Sequence, residues 1–406
     1  MITGLLGKSL KHSYSPEIHA LFGSGNYRLF EREESALPAF FAEAAFDGLN
    51  VTIPYKTEVI RFLGELSETA KALGSVNTVV KRPDGTLFGD NTDVYGFLET
   101  VRKSNVSVSG KKVLVLGSGG ASKAVQYALR LLGAKPVVVS RKGPVSYETL
   151  ETEADASVIV NCTPVGMFPG NGEKPVCLGL FRRLEAVFDL IYNPLRTALL
   201  QEAESRDIPA VNGLYMLVAQ AAKSHDLFTG TPVSADLIEE TYRTVLGRKE
   251  NVVLIGMPGA GKTTVARKLG EALGFPVYDS DAYVKEMTGK TPEEIILNEG
   301  EDAFRTLETK ALSEISVKTG IVLSTGGGVV TRPENEAILK QNGRVWFLER
   351  EIGSLPKEGR PLSGGDLQTL YEARIDDYRR FADETAVNIT IDGAVRAILK
   401  GRTERI

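Results

Sequence analysis

The chain has 406 residues, 42% apolar and 25% charged, with a formal net charge of −4. That length exceeds what a single core usually organises and predicts about two to three domains. The weakly acidic balance supplies no basic field for nucleic acid, and no apolar run reaches the roughly eighteen residues of a membrane span. Two cysteines without a CxxC pattern (Cys162, Cys177) and three scattered histidines (His12, His19, His225) argue against a disulfide framework or a Cys/His metal site. The segment Ile2-Thr3-Gly4-Leu5-Leu6-Gly7 reads as a first strand rather than a signal peptide, which predicts a cytoplasmic protein.

In chain order, helical patterns at residues 15–21 and 67–72 alternate with strands such as 48–53, predicting an α/β substrate domain over 1–100. A strand at 111–116 then leads through Gly117-Ser118-Gly119-Gly120-Ala121 into a helix at 121–132 and a strand at 136–140. That is the βαβ unit of a Rossmann domain, placed over 105–213. Two helices, 214–222 and 235–246, end the first half and are expected to return to the substrate domain within 214–247. The helical pattern stops at Gly247, and a strand at 252–255 opens the second half, 248–406, with Gly256-Met257-Pro258-Gly259-Ala260-Gly261-Lys262-Thr263. The fold class is thus α/β twice over: a substrate domain with a Rossmann domain, then a P-loop domain on a parallel sheet.

The two glycine loops belong to different chemistries. At the first, Ser122 replaces the third glycine of GxGxxG but is small enough for the helix–strand approach needed there. The next strand ends in Ser140-Arg141-Lys142, two cations where an NAD enzyme would place a carboxylate, so a 2′-phosphate and hence NADP is preferred. The second loop satisfies GxxxxGK[ST]: backbone N–H groups cradle phosphates, Lys262 reaches the β/γ oxygens and Thr263 holds magnesium. The loop alone does not name the phosphoryl acceptor.

The first half resembles the shikimate dehydrogenase family through residues 7–16 (GKSLKHSYSP), 50–56 (NVTIPYK), 76–78 (VNT), 89–93 (GDNTD), 161–164 (NCTP), 189–192 (DLIY) and 212–220 (NGLYMLVAQ). The resemblance implies NADPH-dependent reduction of 3-dehydroshikimate to shikimate. It also implies a Lys56–Asp93 catalytic dyad, a substrate ring of Ser13, Ser15, Thr52, Asn77, Asp93, Tyr192 and Gln220, and cofactor contacts from Leu190 and Gly213 beside the glycine loop. Ketone reduction needs a cation or proton donor where negative charge develops, which Lys56 can be with Asp93 holding its ammonium. Equally, Lys56 suits a solvated strand end and Asp93 an N-cap for a helix from Val94. In the family pattern Ser15 favours shikimate over quinate, and Asn212 stands where an aspartate is expected.

The second half resembles shikimate kinase over residues 250–391 through 279–281 (DSD), 300–305 (GEDAFR), 324–328 (STGGG), 359–362 (GRPL) and 374–378 (RIDDY). The resemblance implies that Arg305 and Arg374 grip the substrate carboxylate, Gly327 lies under its ring and Asp281 polarises the attacking hydroxyl. Gly259, Ala260, Gly261, Lys262, Thr263 and Thr264 hold ATP, Arg360 closes over it from a lid, and Asp279 stands behind the Mg2+. The segment 350–359 is shorter than expected for that lid, with Lys357 its one internal cation after Arg350. The expectation is a bifunctional enzyme of small-molecule substrates, without nucleic-acid or membrane partners. Two rivals stand beside it: a quinate/shikimate dehydrogenase joined to a kinase for another polyol acid, or to a nucleotide-binding module without catalysis.

Overall fold

The computed structural model describes residues 1–10, 13–355 and 367–405. The chain forms two compact units: Met1–Val165, Glu173–Tyr192 and Glu202–Val245 in the first, and Gly166–Gly172, Asn193–Gln201 and Leu246–Ile406 in the second.

The first unit holds two sheets. One is mixed: β1 (Thr3–Gly7), β2 (Tyr27–Glu31), β3 (Gly48–Val51), β4 (Glu65–Leu66), β5 (Thr78–Lys81) and β6 (Leu87–Asp90), in the order β2-β1-β3-β5-β6-β4. β5 runs antiparallel to both β3 and β6. This brings the C-terminal ends of β3 and β6, followed by Lys56 and Asp93, to the same end of the sheet. The other sheet is wholly parallel: β7 (Lys112–Leu116), β8 (Lys135–Val139), β9 (Val158–Asn161), β10 (Ala186–Asp189) and β11 (Ala210–Val211), in the order β11-β10-β9-β7-β8. Val113, Leu114, Val115 and Leu116 are fully buried, as a parallel strand covered on both faces requires. The helix Leu214–Thr229 packs against Asp93–Ser104 and Ser15–Leu21. Gly96 makes the first contact possible: a side chain there would begin 2.8 Å from the Met216 carbonyl oxygen and 2.9 Å from the Gln220 Cβ.

The second unit has one parallel sheet, β12 (Asn251–Ile255), β13 (Val277–Asp279), β14 (Val322–Ser324), β15 (Gly343–Glu349) and β16 (Glu384–Val387), in the order β13-β14-β12-β15-β16. Segment 193–201 belongs to this unit. The Leu195 N–H donates to Asn342 Oδ1 at 2.9 Å, the Arg196 N–H to the Gln341 carbonyl at 2.8 Å, and the Arg196 guanidinium to Asp383 at 3.0 and 3.1 Å. Gly247 does not end its helix, which runs Ala235–Lys249. Its carbonyl accepts from the distant Arg402 and the Glu250 N–H reaches the Leu246 carbonyl, so a contact far along the chain overrides glycine's local tendency to stop a helix. No described helix is long and apolar enough to cross a membrane.

Candidate functional sites

In the first unit the Lys56 ammonium donates to Asp93 Oδ2 at 2.7 Å, with the two side chains 19% and 9% exposed. The other carboxylate oxygen of Asp93 accepts from Asn77 Nδ2 at 2.8 Å. Asp93 is the first residue of its helix, and the N-cap is Thr92, without a side-chain cap bond. The Asp93 carboxylate is therefore spent on Lys56 and Asn77 rather than on capping, and Lys56 is half-buried rather than a solvated strand end. Asn77 Nδ2 also lies 3.5 Å from Gln220 Oε1, and its Oδ1 accepts from the Thr92 N–H at 2.7 Å. Four expected residues thus share one network, joined by Thr92, which the sequence reading did not single out. Ser13 and Ser15 form a second group: the Ser15 N–H donates to Ser13 Oγ at 3.2 Å, and Tyr14 between them meets the Tyr192 ring at 5.1 Å. Thr52 follows β3, its N–H donating to the Leu6 carbonyl at 2.9 Å.

The dinucleotide loop leaves β7 through Gly117, whose φ of +102° is a left-handed conformation that glycine adopts without penalty. A side chain there would also meet Thr163 Cγ2 at 3.1 Å. The helix Gly120–Leu131 begins directly after Ser118 and Gly119, and nothing stands within 4 Å of where a Gly119 side chain would project. Ser122 is fully buried, as the helix–strand approach demands. Ala121 lies in the helix's first turn, and Ser140, Arg141 and Lys142 follow β8 with both cations exposed. These residues fit a pyrophosphate at a helix N-terminus and a 2′-phosphate at the strand end. Gly213 is needed for a reason in the protein itself: a side chain would lie 2.0 Å from the Leu190 carbonyl oxygen. Asn212 Oδ1 accepts from the Leu214 N–H at 3.1 Å, opening the next helix.

In the second unit a cleft of about 390 Å³ gathers Lys262, Thr263, Asp279, Asp281, Arg305 and Arg374, with Thr264, Gly259, Gly261 and Gly327 also on its wall. Gly256, Gly259 and Gly261 have φ of +145°, +85° and +91°, bending the loop back on itself so that the Ala260 N–H donates to the Met257 carbonyl at 3.1 Å. Lys262 is buried, its ammonium on the Gly256 and Met257 carbonyls at 2.8 and 3.0 Å. Asn388, another residue the sequence reading passed over, ties the loop down by donating to the Ala260 carbonyl at 2.6 Å.

Thr263 Oγ1 donates to Asp279 Oδ2 at 3.1 Å, so the two oxygens expected around magnesium are adjacent. Asp279 Oδ1 caps the helix Ser280–Thr288 by accepting from the Asp281 and Ala282 N–H groups. With the cap supplied by Asp279, the Asp281 carboxylate is free for the cleft. Burial, then the negative charges of Glu308 and Asp279, push Asp281 up to about 6, which makes it a stronger base than an ordinary aspartate. Arg305 is 5% exposed and held by Glu301 at 2.9 and 3.2 Å and by Glu308 at 2.8 Å. Glu308 is fully buried and its pKa is raised, by desolvation above all. Its signal in the sequence is the Arg305/Glu308 spacing, which puts both on one helix face. Arg360 and Lys357 lie outside the described residues, as does His12 of the first motif.

The fold and these sites define two nucleotide-dependent α/β enzymes on one polypeptide. A model of the shikimate dehydrogenase substrate binding domain matches residues 5–79, and a shikimate kinase model matches 258–388. The chain is 35% identical over 271 residues to shikimate dehydrogenase (NADP(+)) of Caldanaerobacter subterraneus, covering 60% of this chain and 96% of that one. Among solved structures, a chorismate mutase/shikimate 5-dehydrogenase fusion protein from Clostridium acetobutylicum is 37% identical, with a TM-score of 0.57, over 60% of this chain and 96% of that one. Shikimate 5-dehydrogenase from Thermus thermophilus, in complex with NADP(H) and shikimate, is 35% identical, with a TM-score of 0.55, over 60% and 99%. The chain belongs to the shikimate dehydrogenase family and carries a shikimate kinase domain fused behind it.

Proposed function

We propose that the protein catalyses two consecutive steps toward chorismate: NADPH-dependent reduction of 3-dehydroshikimate to shikimate, then ATP-dependent phosphorylation of shikimate at its 3-hydroxyl. The observation that carries this reading is that each half gathers reactive groups of its own, the Lys56–Asp93 pair in one and the Asp281, Arg305, Arg374 and P-loop cleft in the other. The functional halves are 1–247 and 248–406, and we place the protein in the cytoplasm, in keeping with two free cysteines.

NADPH, when bound, supplies the hydride. Lys56 gives its proton to the substrate's carbonyl oxygen as charge develops there, and Asp93 holds the ammonium at that point. Asn77 fixes the Asp93 carboxylate, while Ser13, Ser15, Thr52, Tyr192 and Gln220 provide hydroxyl and amide partners for a polyhydroxylated acid. Arg141 and Lys142 hold the 2′-phosphate, and Leu190 and Gly213 form backbone beside the nicotinamide.

Magnesium ATP supplies the phosphoryl group. Gly259, Ala260, Gly261, Lys262, Thr263 and Thr264 hold its phosphates, Thr263 binds the metal and Asp279 stands behind it. Arg305 and Arg374 take the shikimate carboxylate, Gly327 underlies the ring and Asp281 accepts the proton of the attacking hydroxyl. The test supplies 3-dehydroshikimate, NADPH, ATP and magnesium to the pure protein and follows NADPH absorbance and shikimate 3-phosphate. Omitting ATP should stop the reaction at shikimate, and omitting NADPH should abolish both products. Phosphorylation of a different polyol acid in preference to shikimate would overturn the kinase half of the reading.

A further inference from the structure

Gly327 is wedged against the P-loop: a side chain there would lie 2.6 Å from Pro258 Cδ and 3.0 Å from Pro258 N. Two side chains from a later helix converge on its carbonyl. Arg374 Nη1 donates to it at 3.2 Å, and the Tyr378 hydroxyl donates to it as well. The two donors lie one helical turn apart, the Tyr378 N–H reaching back to the Arg374 carbonyl at 2.9 Å. Tyr378 is fully buried, and its ring stacks on Phe347 of β15 at 5.1 Å and 7°. The hydroxyl is thus fixed by the core of the sheet rather than by the cleft. Burial pushes its pKa up to about 12, so it remains a donor across the working range.

We infer that Tyr378 is a positioning residue for the acceptor: by holding the Gly327 carbonyl, it sets both the backbone floor under the substrate ring and the acceptor against which Arg374 is aimed. This rests on the shikimate kinase reading above. A guanidinium has five donors, so Arg374 can stay on that carbonyl with one N–H and present the others to a carboxylate. Without the tyrosine hydroxyl the carbonyl keeps only the Arg374 bond, and the floor and the arginine lose their common anchor. Lys262 and Thr263 have anchors of their own, in carbonyls of their own loop and in Asp279, so the nucleotide's contacts should change less than the acceptor's.

The test is Tyr378→Phe in the full chain, which keeps the ring stack and removes one hydroxyl. The KM for shikimate should rise about three- to tenfold, the range of one net hydrogen bond, while the KM for ATP and dehydrogenase activity stay as in the wild type. Phe347→Leu, which disturbs the stack but keeps the hydroxyl, serves as the structural comparison and should lower thermal stability with a smaller change in shikimate KM. An unchanged shikimate KM in Tyr378→Phe, or equal rises for shikimate and ATP, overturns the inference. A wild-type chain that does not phosphorylate shikimate at all defeats the kinase reading itself, and the inference with it.

Discussion

The dehydrogenase unit keeps its catalytic charges in one closed pair: Lys56 meets Asp93 at 2.7 Å, and the remaining carboxylate oxygen is taken by Asn77. The kinase unit spreads its charges over a cleft, where Asp281 and Glu308 share Lys262 and Arg305 as neighbours and both have raised pKa values. The difference follows the reactions. Reduction of a ketone needs one proton at one oxygen, so a single preassembled dyad suffices. Phosphoryl transfer needs a carboxylate bound, a hydroxyl oriented and several phosphate charges balanced at once, so the site carries cations partly neutralised by internal acids until substrates take their place.

The largest effect should come from breaking the closed pair. Lys56→Ala is expected to lower dehydrogenase turnover by roughly two to four decades, the scale of a lost proton-transfer group, and to leave kinase turnover at its wild-type value. Ketone reduction at the normal rate in this variant would remove Lys56 from the mechanism.

Within the open cleft the two arginines should separate. Each charged hydrogen bond to the shikimate carboxylate is worth about 1.5 to 3 kcal/mol, so Arg305→Ala and Arg374→Ala should both weaken shikimate binding by one to two decades with little change for ATP. Arg305→Ala should in addition destabilise the fold by about 3 kcal/mol or more, because it leaves the fully buried Glu308 without its partner. Arg374 lies nearer the surface, and its loss should cost little in thermal unfolding. Equal unfolding temperatures for the two variants would contradict the buried Arg305–Glu308 pairing.

Much of this was legible in the chain because its signals are local. The Val-rich strands before each glycine loop, the loops themselves and the helix Ser15–Leu21 follow from patterns a few residues long. Lys56, Asp93 and Asn77 were each named from motifs, but their mutual bonding depends on β5 running antiparallel between β3 and β6, which no short motif specifies. Tyr378 closes the RIDDY motif, but its contact was hidden for the same reason, since its partner Gly327 lies 51 residues away. The helix continuing through Gly247 and the membership of 193–201 in the second unit likewise arise from contacts distant in sequence.

Acidification should act on the two units in opposite directions. All three histidines lie in the first half. His19 is buried, stacked on Tyr27 at 4.1 Å, and burial with the nearby His225 lowers its pKa from 6.5 to about 3. Because its folded value is depressed, the unfolded chain binds the proton first below pH 6.5, and the first unit loses stability as pH falls from there toward 3. By pH 5 the loss is about 2 kcal/mol. Glu308 has the opposite sign: its folded pKa is raised by burial, so the second unit gains stability as pH falls through that value toward 4.5. Calorimetry between about pH 7.5 and 5 should show the dehydrogenase transition moving down relative to the kinase transition, and His19→Phe should flatten the first movement. A kinase transition that moves down in parallel would show that Glu308 does not govern its unit, and a dehydrogenase transition that stays in place would show the same of His19.

The smallest effect concerns cofactor choice, and exposure is what makes it small. Arg141 and Lys142 are both exposed at the end of β8, where a charge pair in water is worth well under the value of a buried one. Removing both, as Arg141→Asp with Lys142→Ala, takes partners from the 2′-phosphate and offers a carboxylate to a ribose 2′-hydroxyl. Two weakened exposed contacts predict a fall of roughly tenfold in the NADPH-to-NADH ratio of kcat/KM, at most a few tens, rather than a full reversal. Rising salt should shrink the wild-type preference in the same direction, since exposed charges are screened within about 10 Å at roughly 0.1 M. A ratio that holds steady under both the substitution and salt would mean that the discrimination lies elsewhere in the loop, and would sharpen the contrast drawn above: the exposed cations of the first unit would then be solvated charges, while the buried ones of the second carry the recognition.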